Sequence, residues 1–241
     1  TLMNNGAVRG GGVYGLESQI TITSCTLTGN TSHGSGGGMI INDGIADIKD
    51  CSLRGNTAVF AGGAIVVRKD NTRSEVTISG GTIGGTGTND ANKATGAYTD
   101  GGGGGIYIGE DCTLTMKAPA GSPAQGVQVI GNTAKNDGGG VYAWQATINI
   151  TGCTITDNKA EENGGGVDVN GGKFAMTGGE IKNNHAKNGG GVYIYGSTFE
   201  MTGGSVSFNE AKDVPQASGG GVYVGINSTF KMYGGTITNN T

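Results

Sequence analysis

Short apolar stretches of period two recur along the whole chain, separated by polar and glycine-rich segments. In the clearest unit, alternation covers Val192–Ile194, Phe199–Met201 and Val206–Phe208. Such alternation places one set of side chains on one face of a β-strand, and each stretch is too short for a helix. Glycine or asparagine marks most boundaries, which is typical of turns. The pattern predicts three short strands and three corners in each unit of roughly 25 residues.

A glycine-rich triplet precedes the first stretch of each unit. The triplets end at Gly12, Gly38, Ala64, Gly105, Gly140, Gly166, Gly191 and Gly221. Their spacings are 26, 26, 41, 35, 26, 25 and 30 residues. A period in this range predicts a solenoid, and the two long spacings predict loop insertions near 84–103 and 117–127. We therefore expect an all-β chain that forms one domain over residues 1–241. The expected fold is a right-handed, single-stranded parallel β-helix of about eight rungs.

Apolar positions that repeat from unit to unit predict a continuous interior. The first-strand column is Val13, Met39, Ile65, Ile106, Val141, Val167, Val192 and Val222. The second-strand column contains the pairs Ile20/Ile22, Ala46/Ile48, Val76/Ile78, Leu114/Met116, Ile148/Ile150, Phe174/Met176, Phe199/Met201 and Phe230/Met232. The third-strand column is Leu27, Leu53, Ile83, Val129, Ile155, Ile181, Val206 and Ile237.

Asparagine usually occurs three residues after the apolar residue of the third strand. The column contains Asn5, Asn30, Asn56, Asn132, Asn158, Asn184, Asn209 and Asn240, and the unit of Ile83 is the exception. Stacked amides can bond one another and the turning backbone, so the column predicts a structural asparagine ladder at one corner. Glycosylation at Asn30 is the alternative, but most ladder positions lack the required Asn-x-Ser/Thr sequence.

Composition excludes several classes of function. The 241 residues include 52 Gly and 3 Pro, and 15 Lys+Arg against 19 Asp+Glu leave a net charge of −4. This charge offers no basic surface, so we expect no nucleic-acid partner. No apolar run approaches the roughly 20 residues needed to span a bilayer, so we expect no direct membrane insertion. Because the chain starts and stops in mid-repeat, we expect a fragment of a larger protein whose open end rungs associate end to end.

The outward position of the first strand carries the most suggestive surface chemistry. Its column reads Tyr14, Ile40, Val66, Tyr107, Tyr142, Asp168, Tyr193 and Tyr223. Stacked rings on a parallel sheet can hold a sugar chain or a protein, so the five tyrosines are our candidate ligand-binding stripe. The alternative is that cross-rung stacking only stabilises the sheet surface.

The cysteines and histidines do not form a metal-binding pattern. Cys25, Cys51 and Cys153 share one repeat position, which holds glycine in other units, and Cys112 lies elsewhere. Cys25 and Cys51 lie in adjacent rungs within disulfide range, but free stacked thiols are the preferred interpretation. Since CxxC spacing is absent, we expect no metal and no cofactor.

One pair of motifs resembles a known family. Leu53-Arg54-Gly55-Asn56 followed by Gly62-Gly63-Ala64-Ile65 resembles the paired tetrapeptides, FxxN and GGA-[ILV], of polymorphic outer-membrane autotransporter adhesins. The pattern of the repeats is also similar to that of large bacterial surface proteins with β-helix repeats. The resemblance implies a secreted or surface-displayed adhesive rod, extracellular or at the cell surface, and it does not assign a ligand. The partner that we expect for such a rod is a host or matrix glycan or protein.

The expected function is therefore a non-catalytic adhesive or display rod. The alternative is a carbohydrate-active β-helix enzyme, a polysaccharide lyase or glycoside hydrolase. Such enzymes need clustered carboxylates, which the repeat pattern does not supply. A hidden site would lie on the inserted loops, which contain Asp90, Tyr98, Asp100, Pro119 and Pro123, or outside this fragment.

Overall fold

The computed structural model describes residues 1–96, 101–122, 126–212 and 217–241, and all regular structure within them is β-strand. The strands pair in parallel with their counterparts in neighbouring units and form four sheets. The chain is therefore a parallel β-helix, as the repeat predicts. Three sheets contain the predicted strands, and a fourth consists of two-residue strands that follow the asparagine corner.

Within each sheet the strands stack in chain order. The first sheet contains Val13–Leu16, Met39–Asn42, Ile65–Arg68, Ile106–Ile108, Val141–Trp144, Val167–Asn170, Val192–Tyr195 and Val222–Val224. The second sheet contains Gln19–Thr23, Ile45–Lys49, Glu75–Ser79, Thr113–Lys117, Thr147–Thr151, Lys173–Met176, Thr198–Met201 and Thr229–Met232. The third sheet contains Leu2–Met3, Thr26–Thr28, Ser52–Arg54, Thr82–Gly84, Gln128–Ile130, Cys153–Thr156, Gly179–Lys182, Ser205–Ser207 and Thr236–Thr238. The fourth sheet contains Gly6–Ala7, Thr31–Ser32, Thr57–Ala58, Lys93–Ala94, Thr133–Ala134, Lys159–Ala160, His185–Ala186 and Glu210–Ala211.

The predicted inner columns form one hydrophobic core. Register pairs each residue with its predicted neighbour, for example Val141 with Val167 and Ile155 with Ile181. The central members are buried in a single cluster, and members in the end rungs, such as Val13, are partly exposed. Each large side chain buried in this cluster contributes on the order of 1.5–3 kcal/mol to folding. The stack as a whole therefore stabilises the rod.

Phe208 is a correction to the apolar pattern. Its position two residues after Val206 predicts an inward side chain, but 58% of its surface is exposed. The strand ends at Ser207, and Phe208 turns the chain toward Asn209 with a φ of 55°. A left-handed turn residue breaks the alternation of a strand, so periodicity does not apply there.

The asparagine ladder is present and has one more member than predicted. Asn158 shows the pattern: its side-chain amide donates to Oδ1 of Asn184 at 3.0 Å and to the main-chain oxygen of Val129 at 2.9 Å. Oδ1 of Asn158 accepts from both the main-chain and the side-chain nitrogen of Asn132, each at 2.9 Å. These bonds use both amide protons and both oxygen lone pairs, which satisfies a buried group completely.

Asn92 fills the rung where the sequence predicts a gap. Asn56 donates to Oδ1 of Asn92, and Asn92 donates onward to Oδ1 of Asn132, both at 2.9 Å. The spacing from Ile83 is longer than elsewhere because an inserted loop leaves the corner and returns to it. The signal that identifies the position is the Asn-x-Ala spacing of Asn92 and Ala94, which matches Asn56 and Ala58.

The glycine triplets allow close stacking of the corners. A Cβ on Gly139 would lie 2.5 Å from the main-chain oxygen of Gly165 in the next rung and 2.5 Å from the carbonyl carbon of Lys159. The first triplet glycine has a different constraint: Gly138 and Gly164 have φ of +62° and +61°. These two corner residues also lie against outward side chains of the first sheet, so the corners form part of the surface on that side of the rod.

Candidate functional site

The outer face of the first sheet carries the predicted tyrosine column in the predicted register. Tyr107 pairs with Tyr142, Tyr142 with Asp168, and Asp168 with Tyr193. The rings of Tyr107 and Tyr142 stack with centroids 5.6 Å apart, and those of Tyr193 and Tyr223 with centroids 4.8 Å apart. Asp168 therefore separates two stacked tyrosine pairs.

Part of this column is covered, which corrects the expectation of an open stripe. Ile40, Val66, Tyr142 and Asp168 lie outside the central core cluster, yet each is at most 3% exposed. The preceding corner covers them: a Cβ on Gly138 would lie 2.6 Å from Cβ of Tyr142. Of the predicted stripe, Tyr14 is exposed and Tyr107, Tyr193 and Tyr223 are half-buried, so Tyr142 is a supporting ring rather than an accessible one.

A second outward column lies two residues further along each strand and is more accessible. Trp144 pairs with Asn170, and Asn170 pairs with Tyr195. Trp144 is 40% exposed and Tyr195 is 41% exposed. The two columns together place a polar rung, Asp168 and Asn170, between two aromatic rungs. Two inter-strand steps separate the strand of Trp144 from that of Tyr195, which is roughly 10 Å.

The polar rung opens into a pocket of about 210 Å³. It is lined by Asp137, Asn163, Asp168, Asn170, Tyr193 and Tyr195. Asp137 and Asn163 come from the corners ahead of the first sheet. Oδ1 of Asp137 accepts hydrogen bonds from the main-chain and side-chain nitrogens of Asn163, both at 3.0 Å. These two bonds orient the Asp137 carboxyl within the pocket.

Asp168 is the unusual member of the pocket. The residue is 2% exposed, and no residue within the described ranges donates a hydrogen bond to its carboxyl. Buried polar groups in folded proteins nearly always have such a partner. Burial, followed by the charge of Asp137, raises the pKa of Asp168 well above its ordinary value.

The neighbouring groups are shifted by the same surroundings. Burial raises the pKa of Asp137 despite its bonds to Asn163, and the nearby Glu162 adds to the shift. Burial and the charge of Asp168 raise the pKa of Tyr193 to about 12 and push that of Tyr142 higher still. The site therefore disfavours negative charge. Its described lining contains no Lys, Arg or His that could offset such a charge.

A second hollow of about 260 Å³ continues along the same face toward the first rungs. Its lining includes Tyr107, Trp144, Arg68, Lys69 and Glu110. Trp144 lines this hollow and pairs with Asn170, which lines the acidic pocket. We call this face of the first sheet, with its two hollows, the first-sheet groove; the pocket of Asp137 and Asp168 is its acidic end.

The inserted loops do not supply a carboxylate cluster in the part that the structure describes. Asp90 accepts a hydrogen bond from the main-chain nitrogen of Gly87 at 3.2 Å, which closes a local turn. Tyr98, Asp100 and Pro123 lie outside the described residues. The extra residues near 84–103 lie on both sides of Asn92. The connection between Val67 of the first sheet and Val76 of the second sheet is also longer than in other units.

Asp137 and Asn163 are the site residues that the sequence does not reveal by itself. They occupy the position just before each glycine triplet, where the residue type varies too much to suggest a column. The structure pairs Gly102 with Asp137 and Asn163 with Asn188, so this position forms a column beside the tyrosines. Asp137 and Asp168 line the same pocket, and the repeat pattern does not predict this pair.

Metal and thiol chemistry adds no second site in the part of the chain that the structure describes. Residues 1–96, 101–122, 126–212 and 217–241 contain no group of three or more His, Cys, Asp or Glu that could hold a metal ion. Cys25, Cys51, Cys112 and Cys153 are free thiols, in agreement with the preferred interpretation. No helix suited in length and apolarity to crossing a bilayer occurs in the described part of the chain.

Comparison with known proteins gives no relative from which a function can be transferred. No protein-family model matches the chain, and neither a curated protein nor a solved structure matches it. The first-sheet groove is therefore the basis on which a function can be proposed.

Proposed function

We propose that this chain is a non-catalytic rod that binds an extended glycan in the first-sheet groove and is displayed outside the cell. The observation that carries the proposal is the order of rungs: Tyr142 and Trp144, then Asp168 and Asn170, then Tyr193 and Tyr195. Aromatic rings offer flat apolar surface to sugar rings, and carboxyl and amide groups between them bond sugar hydroxyls.

A rigid parallel sheet suits a repeating polymer. The rungs are held by hydrogen-bonded register, so neighbouring subsites keep a constant spacing. A protein partner is the less suitable ligand for this groove, because charged residues are depleted at the centres of protein interfaces. Asp168 lies between the aromatic rungs, and Asp137 lies beside it on the corner that precedes the strand of Tyr142.

The test is binding to a glycan array, followed by calorimetry with the best ligand. Trp144→Ala and Tyr195→Ala each remove one exposed ring, and each is expected to weaken binding up to about tenfold. Tyr233→Ala is the matched control, since Tyr233 is 69% exposed and follows a second-sheet strand away from the groove. Absence of any glycan ligand, or equal loss in the Tyr233 variant, would contradict the proposal.

A second candidate, a polysaccharide hydrolase or lyase, is favoured by the Asp137 and Asp168 pair. A carboxyl whose pKa is raised by burial retains its proton at higher pH, as a general acid must. Incubation with the bound polysaccharide and measurement of new reducing ends separates the candidates. Product that accumulates with time and disappears in Asp168→Asn would make the chain an enzyme.

Display outside the cell is proposed from the repeat architecture and the resemblance to surface adhesins. A rod that binds an external glycan must be accessible from outside. Antibodies raised against residues 1–241 are expected to label intact cells of the natural host without permeabilisation. Labelling only after permeabilisation would contradict this part of the proposal.

A further inference from the structure

The described lining of the acidic pocket in the first-sheet groove contains two carboxyls and no compensating base. Six described residues line it, and Lys, Arg and His are not among them. The Asp168 carboxyl is buried and has no hydrogen-bond partner within the described ranges. Asp137 uses Oδ1 for Asn163, which leaves Oδ2 directed to no described partner. A buried acceptor such as the Asp168 carboxyl is costly unless a donor from a ligand satisfies it, and the half-buried Oδ2 of Asp137 lies in the same pocket.

The complementary ligand group is a positively charged donor. A primary ammonium has three N–H donors and no acceptor, so it can bond both carboxyls and one further oxygen, such as the amide oxygen of Asn170. The rings of Tyr193 and Tyr195, which line the same pocket, attract a cation through their π faces. The pocket therefore supplies both ionic and aromatic contacts to an ammonium.

A divalent metal fits the pocket less well. Calcium takes 6–8 oxygen ligands and magnesium requires near-ideal octahedral geometry. The lining supplies two carboxyls, and no larger group of metal-binding side chains occurs in the described residues. A volume of about 210 Å³ also exceeds what a single ion fills, and is suited to a ligand group larger than an ion.

We propose that the Asp137 and Asp168 pocket receives the ammonium of an unacetylated amino sugar, so that the first-sheet groove selects glycans containing free hexosamine. This inference rests on the proposed glycan-binding function and names the class of sugar at its acidic end. Trp144 and Tyr195, which flank the polar rung, contact the neighbouring sugar rings.

The experiment compares three oligosaccharides of equal length and linkage by calorimetry: a β-1,4-linked glucosamine oligomer, its N-acetylated form and the corresponding glucose oligomer. The glucosamine oligomer is expected to bind at least about tenfold more tightly than the other two, because a hydrogen bond between charged groups is stronger than one between neutral groups. Asp168→Asn is expected to remove this preference and leave the weaker binding of the neutral oligomers unchanged.

Asp47→Asn is the matched control, because Asp47 is exposed on the second sheet and its replacement changes the net charge equally. Asp137→Asn provides a second variant, with the same expected loss, if Asp168→Asn fails to fold. Equal binding of all three oligomers would overturn the amino-sugar inference and leave the proposed function intact, whereas no binding at all would overturn both.

Two further arms test other cations. A single calcium site, titrated with calcium chloride and abolished by Asp168→Asn, would overturn the inference in favour of a metal. Tighter binding of an oligolysine peptide than of the glucosamine oligomer would overturn it in favour of a protein ligand. Equal loss of glucosamine binding in Asp47→Asn would also overturn it, because the effect would then come from the overall negative charge of the chain and not from the pocket.

Discussion

The side-chain amide of Asn56 donates a hydrogen bond of 2.9 Å to Oδ1 of Asn92, although 36 residues separate the two along the chain. Ordinary neighbours in the ladder, such as Asn132 and Asn158, are separated by 26 residues. The bond shows that the corner is restored after an inserted loop. Continuity of the ladder is therefore preserved in a rung that deviates from the regular repeat.

Asn92→Ala is expected to lower the free energy of unfolding by about 3–5 kcal/mol. The change removes the acceptor for two Asn56 nitrogens and the donor to the main-chain oxygen of Leu53, all in a buried corner. Urea denaturation measures the loss. Asn89→Ala, in the exposed inserted loop just before, is the control with the same chemical change. Equal losses in the two variants would contradict a stabilising role for the ladder.

Gly139→Ala is expected to destabilise the rod by about 1–3 kcal/mol or prevent folding, because the new Cβ has no space between two corners. It would meet the main-chain oxygen of Gly165 at 2.5 Å. Gly178→Ala is the control, since a Cβ there would lie 3.7 Å from its nearest neighbour, the main-chain nitrogen of Gly152. Thermal unfolding of both variants checks the prediction, and similar midpoints would show that corner spacing is not limiting.

Asp168→Asn is expected to stabilise the unliganded chain at neutral pH. Burial and Asp137 raise the pKa of Asp168 in the folded state above its unfolded value of about 3.9. The contribution of Asp168 to the free energy of unfolding is then highest at pH values below its unfolded pKa. It declines as the pH rises from the unfolded pKa to the folded pKa. The groups that face Asp168 are Asp137, Tyr142 and Tyr193.

The measurement is the unfolding midpoint of wild type and Asp168→Asn at pH 3.5 and pH 7.5. The two proteins are expected to agree at the lower pH, where Asp168 is protonated, and the variant should be more stable at the higher one. Asp47→Asn should show no such divergence, because Asp47 is exposed. A constant offset at both pH values would mean that ionisation of Asp168 is not the cause.

Thiol labelling is expected to follow burial. Burial raises the pKa of Cys51, Cys112 and Cys153, the last to about 11, and the thiolate is the form that reacts. Cys25 is partly exposed and should react first with Ellman's reagent at pH 7.5. Mass spectrometry identifies the labelled residue, and denaturant should release the other three. Rapid labelling of Cys153 in the native chain would contradict the buried position.

The chain is expected to associate end to end as its concentration rises. The last rungs expose Ile226 at 67% and Ile237 at 36%, and the first rungs expose Val8 at 70%. Open strand edges beside exposed apolar side chains favour pairing with a second copy. Sedimentation velocity over a concentration series measures the association, which Ile226→Lys and Ile237→Lys should weaken. A monomer at every concentration would contradict the expectation.

Much of the fold is predictable because a parallel β-helix repeats its local rules. Inner positions such as Val141 and Val167 follow from period-two alternation combined with the glycine spacing, and the structure confirms their pairing. Asn158 is predictable for the same reason. Asn92 is not predicted, because an insertion makes its distance from Ile83 longer than the corresponding distance in other units. The inward prediction for Phe208 is wrong, because Phe208 continues the apolar alternation in sequence but is a turn residue in the structure.

The candidate site is less predictable than the fold. The repeat places Tyr193 and Asp168 as outward residues of adjacent rungs, and the register agrees. Their accessibility is not predictable, because it depends on corners contributed by other parts of the chain. The glycine corner over Tyr142 buries that ring, whereas Trp144, two residues later on the same strand, remains 40% exposed.

The amino-acid sequence by itself determined the periodic features: the stacked interior, the asparagine corner and the face that carries the tyrosines. These depend on alternation and on spacing, which are local and repeat in every unit. Only the tertiary structure decided that Asp137 meets Asp168 in one pocket, because the two lie in different rungs and on different segments of the coil. Stacking of the rungs brings them together, and burial then changes the chemistry of both carboxyls.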